Sequence, residues 1–275
     1  MTMISYAQNA EDVRLARVFH GVLRGFYIDV GAYDPVSCSM TKHFYDRGWS
    51  GINVEPSPTS YARVSGARPR DVNLNAGVSD APGELAFFDF PPEHAGLSTF
   101  SREVAERHRV AGYTFVERKV PVRTLASICE EHVKGPIDFM SIDVEGYEDH
   151  VLGGADFDRF RPRVLVIEAT EPKTTVASQG KWELLLTAAR YEFAAFDGLN
   201  RYYVPVELLA EHAPILARPI STFDEHIPYG YHREIEELRA KVVEYDTSET
   251  GFVRLARGLE KAVRSVGRRV RSRLS

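Results

Sequence analysis

Phe26-Tyr27-Ile28-Asp29-Val30-Gly31-Ala32-Tyr33-Asp34 is the stretch on which the fold turns. Residues 26–30 are mostly apolar on both faces, as in a central parallel strand covered by helices on each side. Gly31 then ends the strand in a turn where the backbone can pass close to a ligand that a side chain would strike. The N-terminus of a following helix favours a carboxylate or phosphate. Taken alone, the stretch also reads as a plain strand-to-helix turn with no ligand.

The same alternation continues outward. Residues 51–55, 72–78, 137–143 and 164–168 predict further buried strands, and residues 36–47, 58–65, 124–132, 147–153 and 181–190 predict the helices between them. Strand and helix in repeated alternation give an α/β fold with a doubly wound, mostly parallel sheet, whose ligand cleft lies at the carboxyl ends of the strands. Residues 191–196 and 201–206 flank Asp197-Gly198-Leu199-Asn200 and predict a closing antiparallel hairpin. An insertion over residues 84–124 interrupts the pattern. Its 87–90 run, the Pro91-Pro92 break and the loop 93–101 predict a hairpin with a mobile lid above the cleft, placed to choose a substrate.

A chain of 275 residues with 44% hydrophobic and 27% charged residues is that of an ordinary globular protein, with one main core and a tail. No apolar run is long enough to span a bilayer. Cysteine occurs only at 38 and 129, in no metal-ligand spacing, and residues 1–12 lack the features of a signal peptide, so a reducing cytoplasm is expected. The domain reading is a main domain over 1–228 and a helical, basic C-terminal extension over 229–275. Between Arg254 and Ser275 eight basic residues face one acid, which leaves a body of formal charge −12 under a total of −5. An acidic body argues against nucleic acid as substrate. In the tail, Phe252, Leu255, Leu259, Val263, Val266 and Val270 recur at helical spacing with basic residues opposite. Such a helix suits either a peripheral contact with an anionic membrane or self-association, by docking on its own body or a second subunit.

Three further segments bring chemistry to the cleft. Gly51-Ile52-Asn53-Val54-Glu55 ends the next strand in an acid, 26 residues after Asp29, where a carboxylate can accept both ribose hydroxyls of a nucleoside cofactor. No G-x-G-x-x-G cradles a pyrophosphate, since Ala32-Tyr33-Asp34-Pro35 follows Gly31, and this favours S-adenosylmethionine over NAD. Ile137-Asp138-Phe139-Met140-Ser141-Ile142-Asp143-Val144-Glu145-Gly146 delivers Asp143 and Glu145 to the rim where a methyl acceptor would sit. The alternative is that Glu145 only caps the next helix. Glu168 ends the strand after that one, so Asp143 and Glu168 can together hold an oxygen-preferring ion such as Mg2+, or separately hydrogen-bond the acceptor.

In order along the chain, Ser5 to Asp12, Phe26 to Gly31, Val54-Glu55-Pro56, Asn75-Ala76-Gly77-Val78-Ser79-Asp80, Leu97-Ser98-Thr99-Phe100 and Ser141 to Glu148 together resemble the FkbM family of methyltransferases, over roughly residues 5–171. The resemblance implies a Rossmann-like methyltransferase fold and transfer of a methyl group from S-adenosylmethionine to a hydroxyl of a sugar or glycan, with a polyketide or other lipophilic metabolite as the alternative acceptor. It implies that Gly31 and Glu55, with Asp29 on the same strand end, bind cofactor. The turn holding Asn75, Gly77 and Ser79 would border the adenine, and residues 143–146 would meet the acceptor. Transfer by in-line displacement needs alignment and a base for the hydroxyl proton. Besides the acids, the candidates are His94 in the lid and His150 after Gly146, whereas His20 and His43 sit in helical patterns that predict packed or solvated rings.

Overall fold

The computed structural model describes residues 2–246, with side chains described to residue 242. The chain divides into two compact units, the first ending at His226 and the second beginning at Ile227. In chain order the first unit contains β1 (Met3–Ser5), α1 (Glu11–Val18), β2 (Phe26–Val30), α2 (Lys42–Asp46), β3 (Ser50–Val54), α3 (Pro58–Ala67), β4 (Val72–Leu74), β5 (Gly77–Val78) and β6 (Gly83–Asp89). These are followed by α4 (Arg102–Val110), β7 (Val116–Arg123), α5 (Leu125–His132), β8 (Phe139–Ile142), α6 (Glu148–Gly153) and β9 (Val164–Glu168). The unit closes with α7 (Glu183–Ala188), β10 (Tyr191–Phe196), β11 (Asn200–Pro205) and α8 (Leu209–Ala217). In the second unit the described helix is α9 (Tyr229–Asp246).

A seven-stranded sheet in the order β10-β11-β9-β8-β2-β3-β4 carries the main core. β4, β3, β2, β8 and β9 pair in parallel, whereas β11 is antiparallel to both β9 and β10. The apolar runs are continuous because each strand feeds two cores by alternation. Ile28, Val30, Met140, Ile142, Leu165 and Ile167 pack on one face against α5, α6 and α7 through Ile128, Val151 and Leu186. Tyr27, Phe139, Val164 and Val166 pack on the other against Leu15, Phe19, Phe44, Trp49 and Leu216.

Residues 72–78, expected as one strand, split between two sheets. β4 closes the large sheet, and after Asn75-Ala76 the chain enters a second sheet of order β5-β7-β6, in which β6 and β7 are antiparallel. The Asn75 amide pins the crossing by donating to the carbonyls of Glu55 (2.9 Å) and Pro56 (3.1 Å). The 84–124 insertion therefore holds an antiparallel pair, and between its strands lie a 3-10 turn at Pro92–Leu97 and a helix, α4, that the sequence pattern did not suggest. Phe88, Phe90, Leu97 and Ala105 form a core under this turn.

The helix expected over 36–47 is reduced to Lys42–Asp46. The carboxylate of Asp34 takes the amides of Val36 and Ser37 (2.8 Å each), and Cys38 is left-handed at φ 61°, so the chain turns rather than winds. Among the described residues no helix is long and apolar enough to cross a membrane. The basic amphipathic stripe of residues 252–270 lies outside the described residues.

Candidate active site

An open cleft lies at the carboxyl ends of β2, β3, β8 and β9. Asp29, one residue before the end of β2, is buried and accepts the hydroxyl of Thr41 (2.9 Å); burial pushes its carboxyl up to about 6. Gly31 follows at φ +88°, and its amide and that of Ala32 donate to the carbonyl of Val54 (3.0 and 3.3 Å). A Cβ on Gly31 would fall on the carbonyl oxygen of Asp143. The glycine thus serves first the close approach of two backbones, one carrying the β2 turn and one the acids after β8.

Glu55 follows β3 and lines the cleft. One carboxylate oxygen accepts the amide of Tyr33 and the other that of Ser57, both at 2.8 Å. Burial outweighs these bonds and raises the group to about 7. Each oxygen keeps a lone pair for a ligand hydroxyl.

The strands β8 and β9 bring the remaining acids together. Their register sets Ile142 beside Ile167, so the next residues, Asp143 and Glu168, emerge side by side. Glu145 reaches the same place through a left-handed turn, φ 53° at Glu145 and 89° at Gly146. Such a conformation at a non-glycine residue is strained and is kept where the surroundings enforce it. Asp143, Glu145 and Glu168 each present a carboxylate oxygen within 4.8 Å of the others. Burial, then the Asp143 carboxyl, holds both Glu145 and Glu168 well above the usual carboxylate range. Burial also raises Asp143, against a hydrogen bond with Glu168 that lowers it. The loop amides of Val144 (3.3 Å) and Gly146 (3.1 Å) are taken by Glu148, which leaves the Glu145 side chain to the cleft.

The 84–124 insertion reaches this loop directly, because the Thr99 hydroxyl donates to the carbonyl of Glu145 (2.9 Å). Ala95, Gly96 and Ser98 line the cleft, but His94 does not: it is exposed, with its ring edge against Tyr113 (4.9 Å between centroids). His150 stacks on Tyr147 (4.1 Å) and bonds Asp149, away from the lining. Of the turn expected to border adenine, Gly77 faces the cleft with Ala76 and Val78, whereas Asn75 is spent on backbone carbonyls and Ser79 is buried with its hydroxyl on Asp80 and Tyr147.

Glu11, at the start of α1, is a cleft residue to which sequence reasoning assigned no role. It is buried, accepts the Asn200 amide and the Asn9 backbone amide (2.7 Å each), and is pushed up to about 8 by burial. An acid in a first helical turn is ordinarily a solvated partner of the helix dipole, so only the resemblance of residues 5–12 hinted at it.

Among the described residues the lining holds six acidic side chains, Glu11, Asp29, Glu55, Asp143, Glu145 and Glu168, and no lysine, arginine or histidine. No curated protein matches the chain. The methyltransferase FkbM domain matches residues 29–193, which spans more than half of the chain and every acid of the cleft except Glu11. The chain belongs to the FkbM methyltransferase family.

Proposed function

We propose that the protein is an S-adenosylmethionine-dependent O-methyltransferase that acts on a hydroxyl of a sugar or glycan, with the Rossmann-like arrangement of that enzyme class. The observation that carries this reading is that every charged side chain lining the cleft, among the described residues, is acidic. A sulfonium and an ammonium group are attracted to such a surface, whereas the pyrophosphate of NAD or a nucleic-acid backbone is repelled. The lone pairs of Glu55 left free by Tyr33 and Ser57 support a role in accepting ribose hydroxyls. The cofactor supplies an electrophilic methyl group on its sulfonium.

What the chain contributes is alignment and proton handling. Glu145 and Glu168 line the cleft, and burial holds both carboxyls above the usual carboxylate range, in the direction of a stronger base. Carboxylates and Ser98 along the wall suit a polyhydroxylated acceptor, which offers many donors.

Thermal melts with S-adenosylmethionine, S-adenosylhomocysteine and NAD test the donor, since a ligand of the native state raises its stability by mass action. Stabilisation by the first two and not by NAD is expected. NAD stabilisation alone would sink the reading. Transfer of a labelled methyl group is then expected to sugar acceptors, and transfer to polyketide alcohols alone would replace the acceptor class.

A further inference from the structure

Among the described residues no lysine, arginine or histidine lines the cleft beside the three acids at the ends of β8 and β9. Glu168 is only 6% exposed, and its Oε2 is buried without a hydrogen-bond partner. A buried carboxylate oxygen with nothing to accept from costs free energy, and it persists where a ligand completes it. That oxygen belongs to a residue whose carboxylate, with those of Asp143 and Glu145, has ligand atoms within 4.8 Å of one another. The cation that acts on Glu145 is Lys173, whose ammonium is bonded to the Tyr113 hydroxyl (2.7 Å) and does not line the cleft.

We propose that Asp143, Glu145 and Glu168 bind a divalent cation of the magnesium or manganese class. All donors are hard oxygens, which suits these ions and disfavours softer, sulfur-seeking metals. Three protein ligands leave coordination positions open toward the cleft. One of them would hold the acceptor oxygen beside the donor methyl, a role that rests on the methyl-transfer reading, although the binding of the ion does not. Glu145 gains a reason for its left-handed backbone, since that turn is what brings the third ligand to the other two.

Mn2+ titration of the full chain, read by electron paramagnetic resonance of the free ion, tests the site without any turnover. Wild type is expected to bind one Mn2+ per chain, displaced by Mg2+. Glu168→Gln and Asp143→Asn, each with a thermal melt to verify folding, are expected to weaken Mn2+ by about ten-fold or more. No binding by wild type up to about 1 mM Mn2+, or folded variants that bind it equally well, would overturn the proposal. Calorimetry with S-adenosylhomocysteine on the same samples separates the two ideas: cofactor binding without Mn2+ binding removes the ion alone and leaves the methyl-transfer reading standing.

Discussion

Gly31 and Asp143 meet backbone to backbone at the floor of the cleft. The space in which a side chain on Gly31 would stand is filled by the carbonyl oxygen of Asp143, and the glycine's φ of +88° is itself one that other residues rarely adopt. Because the Asp143 amide also donates to Val30 (3.0 Å), neither strand end can retreat without breaking the β2–β8 junction.

Gly31→Ala is therefore expected to cost at least about 2 kcal/mol in urea denaturation, from strain and collision together. Gly66→Ala is the contrast. In α3, with open space around it, alanine is expected to be neutral or to stabilise by up to about 1 kcal/mol. Equal effects at the two sites would refute the close-approach argument.

Glu55→Ala is expected to weaken S-adenosylhomocysteine by about 1.5–3 kcal/mol, the worth of hydrogen bonds to a charged group. That is roughly ten- to a hundred-fold in Kd. Isothermal calorimetry measures it directly, and an unchanged Kd would remove Glu55 from the ribose.

Glu11 makes a prediction in pH. Its folded-state value of about 8 lies above the ordinary 4.5, so the native state keeps this proton to higher pH than the unfolded chain does. The associated stability is complete below about pH 4.5 and is lost as pH rises toward 8. Glu11→Gln cannot ionise, so its melting temperature is expected to gain on wild type between pH 5 and pH 8. A difference of about 2–4 °C corresponds to each kcal/mol for a domain of this size. Parallel pH profiles for the two proteins would contradict the burial of an ionisable Glu11.

His94 is expected to be dispensable. It stands exposed against Tyr113 while its neighbours Ala95 and Gly96 face the cleft, so His94→Ala should leave kcat within about two-fold of wild type. A loss of orders of magnitude, with cofactor binding intact, would contradict this outward placement of His94.

Much of the frame could be read from residue pattern, and the reasons are specific. β2 and β9 coincide with their expected bounds because both faces of each strand are buried, so the apolar run begins and ends with the strand. Asp143 and Glu168 could be paired from sequence since each ends a strand of a parallel sheet, where register alone makes them neighbours. α4 was hidden because only Val104, Ala105 and His108 of its nine residues are buried, too few for a helical stripe. The role of Glu11 depends on Asn200, 189 residues away, and no local signal carries that contact. Which way His94 faces is decided by its packing on Tyr113, and Asn75 and Ser79 point away because the turn they share is crossing between sheets.

The order of strands in the large sheet bears on how the chain folds. β2 sits between β3, its near neighbour in sequence, and β8, whose Phe139 pairs with Tyr27 only after the whole second sheet has intervened. Pairings of such long separation slow folding, and until they form the open side of β2 is an apolar edge ready to recruit another chain. A chain ending at residue 136 keeps that edge bare, and it is expected to aggregate on refolding from urea where the full-length protein, followed by light scattering, stays clear.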